Sequence, residues 1–574
     1  MAEGKILGIW DGHDAGAALI DAGGNILSAV NEERLSRKKL HSGFPHLSIE
    51  SCLELAHAEK EDVTDIAFST TDWTKTASRV FPIIADKYYL FRRRKIDRPH
   101  FHNLQRYLKF VLGQPTEPKG VLKAVNRAHI TRTLRKAGFK KFRLHSVDHH
   151  IAHAAAAYHT SGMDESVCVT MDGLGDGVSS TVNYCADGKI ARLGQTTAGN
   201  SIGIFFEQAT TVLGMRELED EGKLMSLADY SHKTGNKMEG LFSVNGLSIR
   251  AKLNPIAQYN FLERLAWRTP PEDFARMVQE TLEKNILGLF SNAQEETGAR
   301  KISWSGGIAS NIKLNQRIRS HLSLKDWFVF PHMGDGGLAL GAALFVAGNP
   351  QKKKLKSAYF GPGPKGQGEI LDFLEKNRDK FSWSVNRKGR WQKEASEILS
   401  KENDYFFLFQ GRMEYGPRAL GNRSIVAPAD SIEVKNKLNL RIKERNWYQP
   451  FCPSILATEA KRLFTDYDGI EDKFMTMGYS CSSLGEKRLA AAIHVDMSAR
   501  PQMVGKENPE YMRLISTVGK STGTGAVLNT SFNYHGDPIV SNIKEALEMQ
   551  ERTRTRHMFA EGIHIEFKGA GKRR

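Results

Sequence analysis

The stretch His145–Thr181, HSVDHHIAHAAAAYHTSGMDESVCVTMDGLGDGVSST, decides how the rest of the chain is read. Its Ala-rich run from His149 to Tyr158 predicts a helix, and the 3.6-residue period sets His149 and His153 on one face, a turn apart. Two imidazoles so placed can share a metal ion. The β-branched run Val167–Met171 predicts a strand that stops at Asp172-Gly173, followed by Gly175-Asp176-Gly177. A carboxylate beside stacked histidines, next to a turn whose amides no side chain obstructs, suits a metal and a phosphate. A solvated helix face would carry the same H-x-x-x-H spacing, and His145, His150 and His159 crowd the neighbourhood, so the pair alone leaves both readings open.

Working outward, the same order of elements occurs at the start of the chain. Lys5–Val30 reads as strand, Asp11-Gly12 turn, strand, Gly23-Gly24-Asn25 turn, strand. Val167–Leu193 runs the same way, through Asp172-Gly173 and Ala186-Asp187-Gly188, about 160 residues later. The repetition predicts a duplicated three-strand meander in an α/β protein. Duplicated meanders with helical crossovers resemble the core of the actin, hexokinase and chaperone ATPase fold, where two facing Asp-Gly turns hold nucleotide phosphates and a metal. Fold by itself does not fix a reaction.

Further candidates are spread along the chain. His13, on the first turn, suits proton removal from a hydroxyl near neutral pH, or simply a hydrogen bond within the turn. The run Asn31–Lys39, NEERLSRKK, reads as a charged, solvated face. From about 81 to 143 the sequence turns basic and aromatic, which predicts a helical insertion suited to an anionic or bulky acceptor, or else a basic solvated surface. Lys223, near a helix start, can meet a phosphate as a point charge. A long amphipathic helix from about Asp273 to Thr297 leads to a strand, Gly306-Gly307, and a helix near Asn311, whose free amides suit a nucleotide. Asp335, in HMGDGG, opens the helix Leu338–Ala347 and supplies a second carboxylate. Two His and two Asp, with no thiolate, suit Fe(II), Mn(II) or Zn(II).

The chain has 574 residues, enough for two or three domains. Its net charge of +16 suits an anionic ligand, a nucleic acid or a membrane surface without choosing among them. Five scattered cysteines with no C-x-x-C pairing indicate neither a disulfide framework nor a thiolate zinc site and suit a reducing cytoplasm. No apolar run is long enough to span a bilayer. Gly348-Asn349-Pro350, a lysine run and Gly361-Pro362-Gly363-Pro364 predict a linker, dividing the chain into domains 1–348 and 365–574. In the second, Gln410–Ser424 interleaves arginines with glycines, and Arg441-Ile442-Lys443, Ser498-Ala499-Arg500-Pro501 and Asn529-Thr530-Ser531 lie in polar loops. These loops together predict an anion cavity.

The motifs DGHDAGAAL, NEERLSRKK, DHHIAHAAAAY, MDGLGDG, EGKLM, SGGIASN and GDGGLALGAAL, then GRMEYGPRALGNRS, SARPQ and LNTSFN, cover nearly the whole chain. In this order they resemble the O-carbamoyltransferases of antibiotic tailoring and nodulation-factor biosynthesis. The resemblance implies an N-terminal actin/hexokinase-like domain similar to the universal tRNA threonylcarbamoyl transferase, followed by a YrdC-like α/β domain. It implies that the second domain makes carbamoyl adenylate from carbamoyl phosphate and ATP, with Mg for the ATP, and that the first transfers the carbamoyl group to a hydroxyl of a small sugar or natural product. Carried over by motif, His149, His153, Asp172 and Asp335 would bind Fe(II), with Mn or Zn as alternatives. His13 would activate the acceptor, Lys39 and Lys223 would contact nucleotide phosphates, and Arg418, Arg500, Asn529 and Ser531 would line the adenylate pocket. The family's W-x-R-P-F appears as Trp447-Tyr448-Gln449-Pro450-Phe451, so a neutral side chain replaces an arginine. The competing readings are a threonylcarbamoyladenosine-type tRNA enzyme and a nucleotide-gated binding protein without transfer. A cytoplasmic enzyme with no membrane partner is expected, and a nucleic-acid partner is disfavoured but left open; a homodimer is one option for an oligomeric state that the sequence does not fix.

Overall fold

The computed structural model describes residues 4–69, 79, 82–95, 121–348, 350, 353–385 and 390–570. The chain divides into two compact units, Met1–Glu32 with Leu40–Leu355, and Glu33–Lys39 with Lys356–Arg574. The join at Leu355 falls within the Gly/Pro/Lys-rich linker. Glu33–Lys39 departs from a contiguous division and groups with the second unit. There Arg34 donates to the Gly416 carbonyl at 2.8 Å, and Arg37 donates to the carbonyls of Pro538 and Ile539 at 2.8 and 2.7 Å. Guanidinium groups that leave water need such acceptors, so this part of the charged run is not a solvated face.

In the first unit, β1 (Lys5–Trp10), β2 (Gly16–Ile20) and β3 (Ile26–Asn31) form an antiparallel meander, extended in parallel by β4 (Val63–Ser69) and β5 (Arg143–Val147). A second meander, β6 (Glu165–Gly175), β7 (Val178–Ala186) and β8 (Lys189–Thr197), follows. After a separate hairpin, β9 (Phe242–Asn245) and β10 (Ser248–Ala251), the second sheet is extended in parallel by β11 (Lys301–Ser305) and β12 (Asp326–Val329). The sheet orders are β3-β2-β1-β4-β5 and β12-β11-β6-β7-β8, the same topology twice. One detail differs from the sequence reading. Strand β6 continues past Met171 to Gly175 with irregular pairing, and the chain reverses at Asp176-Gly177, both at positive φ (49° and 78°). Asp172 therefore lies on an interrupted strand, where loss of regular pairing frees its side chain to turn inward.

The histidine helix, His149–Ser161, starts at Asp148, whose carboxylate accepts from the Ile151 amide at 2.9 Å, and stops at Gly162 with φ 75°. It lies against β6 and β11, while the helix Leu338–Ala347 lies against β1 and β4; the two helices pack on each other. Their small residues make this possible. A Cβ on Gly341 would fall 1.9 Å from the Ala152 carbonyl oxygen, and one on Gly8 would fall 1.8 Å from that of Ala339.

The second unit carries an eight-stranded mixed sheet. Its strands are β13 (Phe381–Val385), β14 (Phe406–Phe409), β15 (Arg423–Ala427), β16 (Cys452–Leu456), β19 (Gln502–Val504), β20 (Ala526–Ser531), β21 (His557–Ala560) and β22 (Ile563–Phe567). A small ribbon, β17 (Tyr479–Ser480) with β18 (Ser498–Ala499), stands apart. Both faces are apolar, so helices cover both: Ile370, Val434 and Leu547 pack on one, Ala395, Leu514 and Val518 on the other. Among the described residues no helix is long and apolar enough to cross a membrane.

The Gly341 contact yields a direct test. Gly341→Ala is expected to destabilise the protein by about 1–3 kcal/mol through overpacking, read as a lowered midpoint of thermal unfolding. Gly368→Ala, where a Cβ meets nothing within 4 Å, should leave the midpoint unchanged or slightly raised.

Candidate functional site

In the first unit the structure brings His149, His153, Asp172 and Asp335 together, with one donor atom of each within 4.8 Å of all the others. His153 Nε2 is 3.2 Å from Asp172 Oδ2 and 3.7 Å from Asp335 Oδ1; His149 Nε2 is 3.6 Å from each of the same two oxygens. Atoms that share one ion at ~2.1 Å stand roughly 3–3.5 Å apart, close to this spacing. The His149 ring is buried, and its Nε2 makes no hydrogen bond. A buried nitrogen facing two carboxylates from beyond hydrogen-bond reach fits a cation held among them. Burial disfavours the charged form of Asp172, but His149 and His153 outweigh it and hold the carboxyl well below its usual range. Burial likewise works against protonated His149, and Asp335 and Asp172 overcome it to raise its pKa.

Local structure orients each donor. The other nitrogen of His153 faces Ser305 Oγ at 3.3 Å, which leaves Nε2 toward the cluster. Asp172 Oδ1 accepts from the Gly173 amide at 2.8 Å. Gly306, at φ 101°, and Gly307 press close: a Cβ on Gly306 would fall 2.1 Å from the Met171 carbonyl oxygen, and one on Gly307 3.0 Å from Asp172 Oδ1. Asp335 turns Oδ1 to the histidine pair and Oδ2 to His13, whose Nδ1 is 3.4 Å away. Behind it, His332 Nε2 meets Asn31 Oδ1 at 3.0 Å, and Asn31 donates to Asp14 at 3.2 Å. Sequence reasoning singled out neither His332 nor Asn31; the only signal was their place in the HMGDGG and NEER stretches. His150 is a core residue, bonded to Thr170 and the Val178 carbonyl and pushed down to about 3 by burial and then by the charge of His149.

Several expectations change. Asp11, from the first Asp-Gly turn, does not join the cluster: both its oxygens bind Arg79, at 2.7 and 3.1 Å. Lys223 pairs with Asp220 at 3.0 Å. Asn311 caps the helix Ile312–His321 by accepting from the Leu314 amide, and exchanges hydrogen bonds with Gln279. Its side chain is thus committed to structure. In the basic segment, residues 81 and 96–120 lie outside the described residues. Arg79, just ahead of it, and its own Arg92 and Arg93 are buried and ion-paired, Arg92 with Glu207 and Glu217 at 2.5 Å and Arg93 with Glu219. These cations dock the start of the segment on its own unit, whereas further along it Lys123, Arg127, Arg132, Arg135, Lys136 and Lys140 are exposed and form a basic solvated face.

The second unit gathers cations. A helix from Ile432 to Leu438 widens into the π-helical turn Asn439–Lys443, and Glu444 takes φ 43°; such turns re-aim side chains. Lys443 is buried, with Nζ 2.7–3.1 Å from Asn533 Oδ1, the Asn533 carbonyl and Ser531 Oγ. Its pKa falls well below the usual value through burial, then through the charges of Arg445 and Lys39. Lys39, expected at nucleotide phosphates, thus lies with this cluster, 3.2 Å from Glu33. Arg445 donates to Thr530 Oγ1 and the Pro450 carbonyl, each at 3.1 Å. Arg500 approaches Cys452 Sγ at 2.9 and 3.2 Å. Burial, with Arg500 nearby, pushes Arg418 down to about 9. Mutually destabilised cations of this kind favour an anion among them. Arg445 was missed in the sequence because its loop carried no glycine punctuation. Asn529 is buried and bonds Ala419, Ser454 and Gln502, a role inside the sheet. Gln449 accepts from the Asn446 amide and closes its own turn.

Two clusters of opposite chemistry, one fit for a metal beside a base and one for anions, accompany a match to two family descriptions. Carbamoyltransferase N-terminus covers residues 5–344 and Carbamoyltransferase C-terminus covers 397–566, and the chain belongs to the carbamoyltransferase family. Its activity is carbamoyl transfer. Among its relatives is the nodulation protein NolNO of Sinorhizobium fredii, 28% identical over 566 residues, 93% of this chain and 76% of that protein. Nodulation protein NolO of Bradyrhizobium diazoefficiens is 31% identical over 416 residues, 70% and 75% respectively. An uncharacterized protein of Methanocaldococcus jannaschii is 31% identical over 474 residues, 76% of each.

The Asp11–Arg79 pair is open to test. Arg79→Met strands a buried carboxylate and is expected to cost about 3–5 kcal/mol, measured as a shift in urea unfolding followed by circular dichroism.

Proposed function

We propose that the chain is an ATP-dependent O-carbamoyltransferase acting on a hydroxyl of a small molecule, a sugar or natural product. The observation that carries this reading is the grouping of His149, His153, Asp172 and Asp335 with His13 against the outer oxygen of Asp335. The first unit reads as actin/hexokinase-like, supported by its duplicated sheet topology, and the second as YrdC-like, supported by a mixed sheet with a cationic cluster at its strand ends.

The cations of the second unit suit its half of the chemistry. Water releases carbamate and inorganic phosphate from carbamoyl phosphate; a carbamate oxygen then attacks the α-phosphorus of ATP, and pyrophosphate leaves. Arg418, Arg445, Arg500 and Lys443 would hold the phosphates and offset charge on the leaving group. In the first unit the acceptor oxygen attacks the carbamoyl carbon of the adenylate, the bond to AMP breaks, and His13 takes the hydroxyl proton. His149, His153, Asp172 and Asp335 would hold a divalent metal, Fe(II) by resemblance, with Mn(II) or Zn(II) suited to the same donors; bound there it supplies Lewis-acid stabilisation of the departing phosphate. Asp335 keeps His13 in place and favours its protonated form once the proton has moved.

Incubation with ATP, Mg and carbamoyl phosphate is expected to release pyrophosphate and form carbamoyl adenylate; a folded protein yielding neither product rules the reading out, and activity only with threonine and bicarbonate would favour the tRNA-type reaction. His13→Ala should lower transfer roughly 10²–10⁴-fold while adenylate formation continues, as followed by separate AMP and pyrophosphate assays. His149→Ala with His153→Ala should abolish metal retention at this cluster, measured by mass spectrometry of the dialysed protein.

A further inference from the structure

The last hairpin of the second unit carries a second group of donors. In it β21 pairs with β22 so that His557 stands opposite Glu566 and Phe559 opposite His564. Residues directly opposite, and those two apart along a strand, share one face of a sheet. His557, His564 and Glu566 therefore point the same way, toward the face covered by the helix Arg390–Ser400, where Trp391 meets Phe559. Their donor atoms lie within 4.8 Å of one another. His557 Nδ1 is 3.0 Å from His564 Nε2 and 3.6 Å from Glu566 Oε1.

The outer nitrogens of the two rings also face carboxylates. His557 Nε2 is 3.6 Å from Glu402 Oε2, and His564 Nδ1 is 3.4 Å from Glu394 Oε2. His557 is buried, and its Nε2 makes no hydrogen bond at that distance.

Counting protons makes the arrangement informative. Two neutral imidazoles carry one N–H each. Three places can take one: each of the two outer carboxylates, of which Glu402 also accepts from Arg556 at 3.4 Å, and the inner contact, where two lone pairs would otherwise oppose each other at 3.0 Å. A cation at the inner position removes the conflict. Both N–H groups then face Glu402 and Glu394, and both inner lone pairs, with Glu566, face the ion. A carboxylate on the far nitrogen of each metal-bound imidazole is the usual way such rings are oriented.

We propose that His557, His564 and Glu566 form a second metal site, taking a first-row divalent transition cation such as Zn(II), with Glu402 and Glu394 orienting the rings. Two imidazoles and a carboxylate suit zinc, and the remaining position is open to water. The ion would tie β21 to β22 and stabilise the second unit, since ligands must be gathered for it to bind. The proposal is independent of the transfer chemistry.

The test uses the full chain, untagged, carrying His149→Ala and His153→Ala, so that the first cluster cannot contribute. After stripping with a chelator and dialysis against Zn(II), a single retained equivalent is expected by mass spectrometry, together with a raised midpoint of thermal unfolding. Adding His564→Gln and Glu566→Gln, both at partly exposed positions, should remove the equivalent and the zinc-dependent rise while leaving the metal-free circular dichroism spectrum unchanged. Zinc retained after those substitutions, or a folded background protein that holds none, overturns the proposal.

Discussion

The close approach of two helix backbones, Gly341 against the Ala152 carbonyl, sets the geometry of the first unit. The helix Leu338–Ala347 starts just after Asp335, and the histidine helix starts with His149 itself. Where these helices cross therefore decides where three of the four converging donors stand. Each helix also rests on the sheet of the other half of the duplication, so the two meanders are tied through one apolar layer of alanine, glycine and leucine. A side chain at Gly341 would push against backbone, which yields far less readily than another side chain.

Charge is then disposed around that frame in two ways. Arg79, Arg92 and Arg93 spend their charge on structure, each meeting a carboxylate out of water, which holds the basic segment to its own unit. The donors of the site are left incompletely satisfied instead. His149 Nε2 has no hydrogen bond, and Arg418 is held below its usual pKa by burial and a like charge. Buried polar groups without partners are costly, and a bound ion would offset that cost in either cluster. The first cluster gathers donors suited to a cation, and the second gathers cations suited to an anion.

Local sequence determined the elements. The alanine run with Asp148 ahead and Gly162 behind specified a helix, its period put His149 above His153, and the strand-turn-strand repetition announced two sheets of one topology. The motif order was specific enough to indicate the carbamoyltransferase family. Those features depend on neighbours within a few residues, or on a pattern that repeats, and can be read from one chain. The tertiary structure alone decided which carboxylate served which purpose. Asp11 and Asp172 sit in matching Asp-Gly motifs, yet Arg79, 68 residues away, captures the first and leaves the second facing the histidines. Asn311 looked like a nucleotide contact until Gln279 and the Leu314 amide claimed it, and Lys39 belongs with Lys443 although some four hundred residues of sequence part them. A side chain's role follows from which partner reaches it first in space, and that is fixed by long-range packing, which no local pattern encodes.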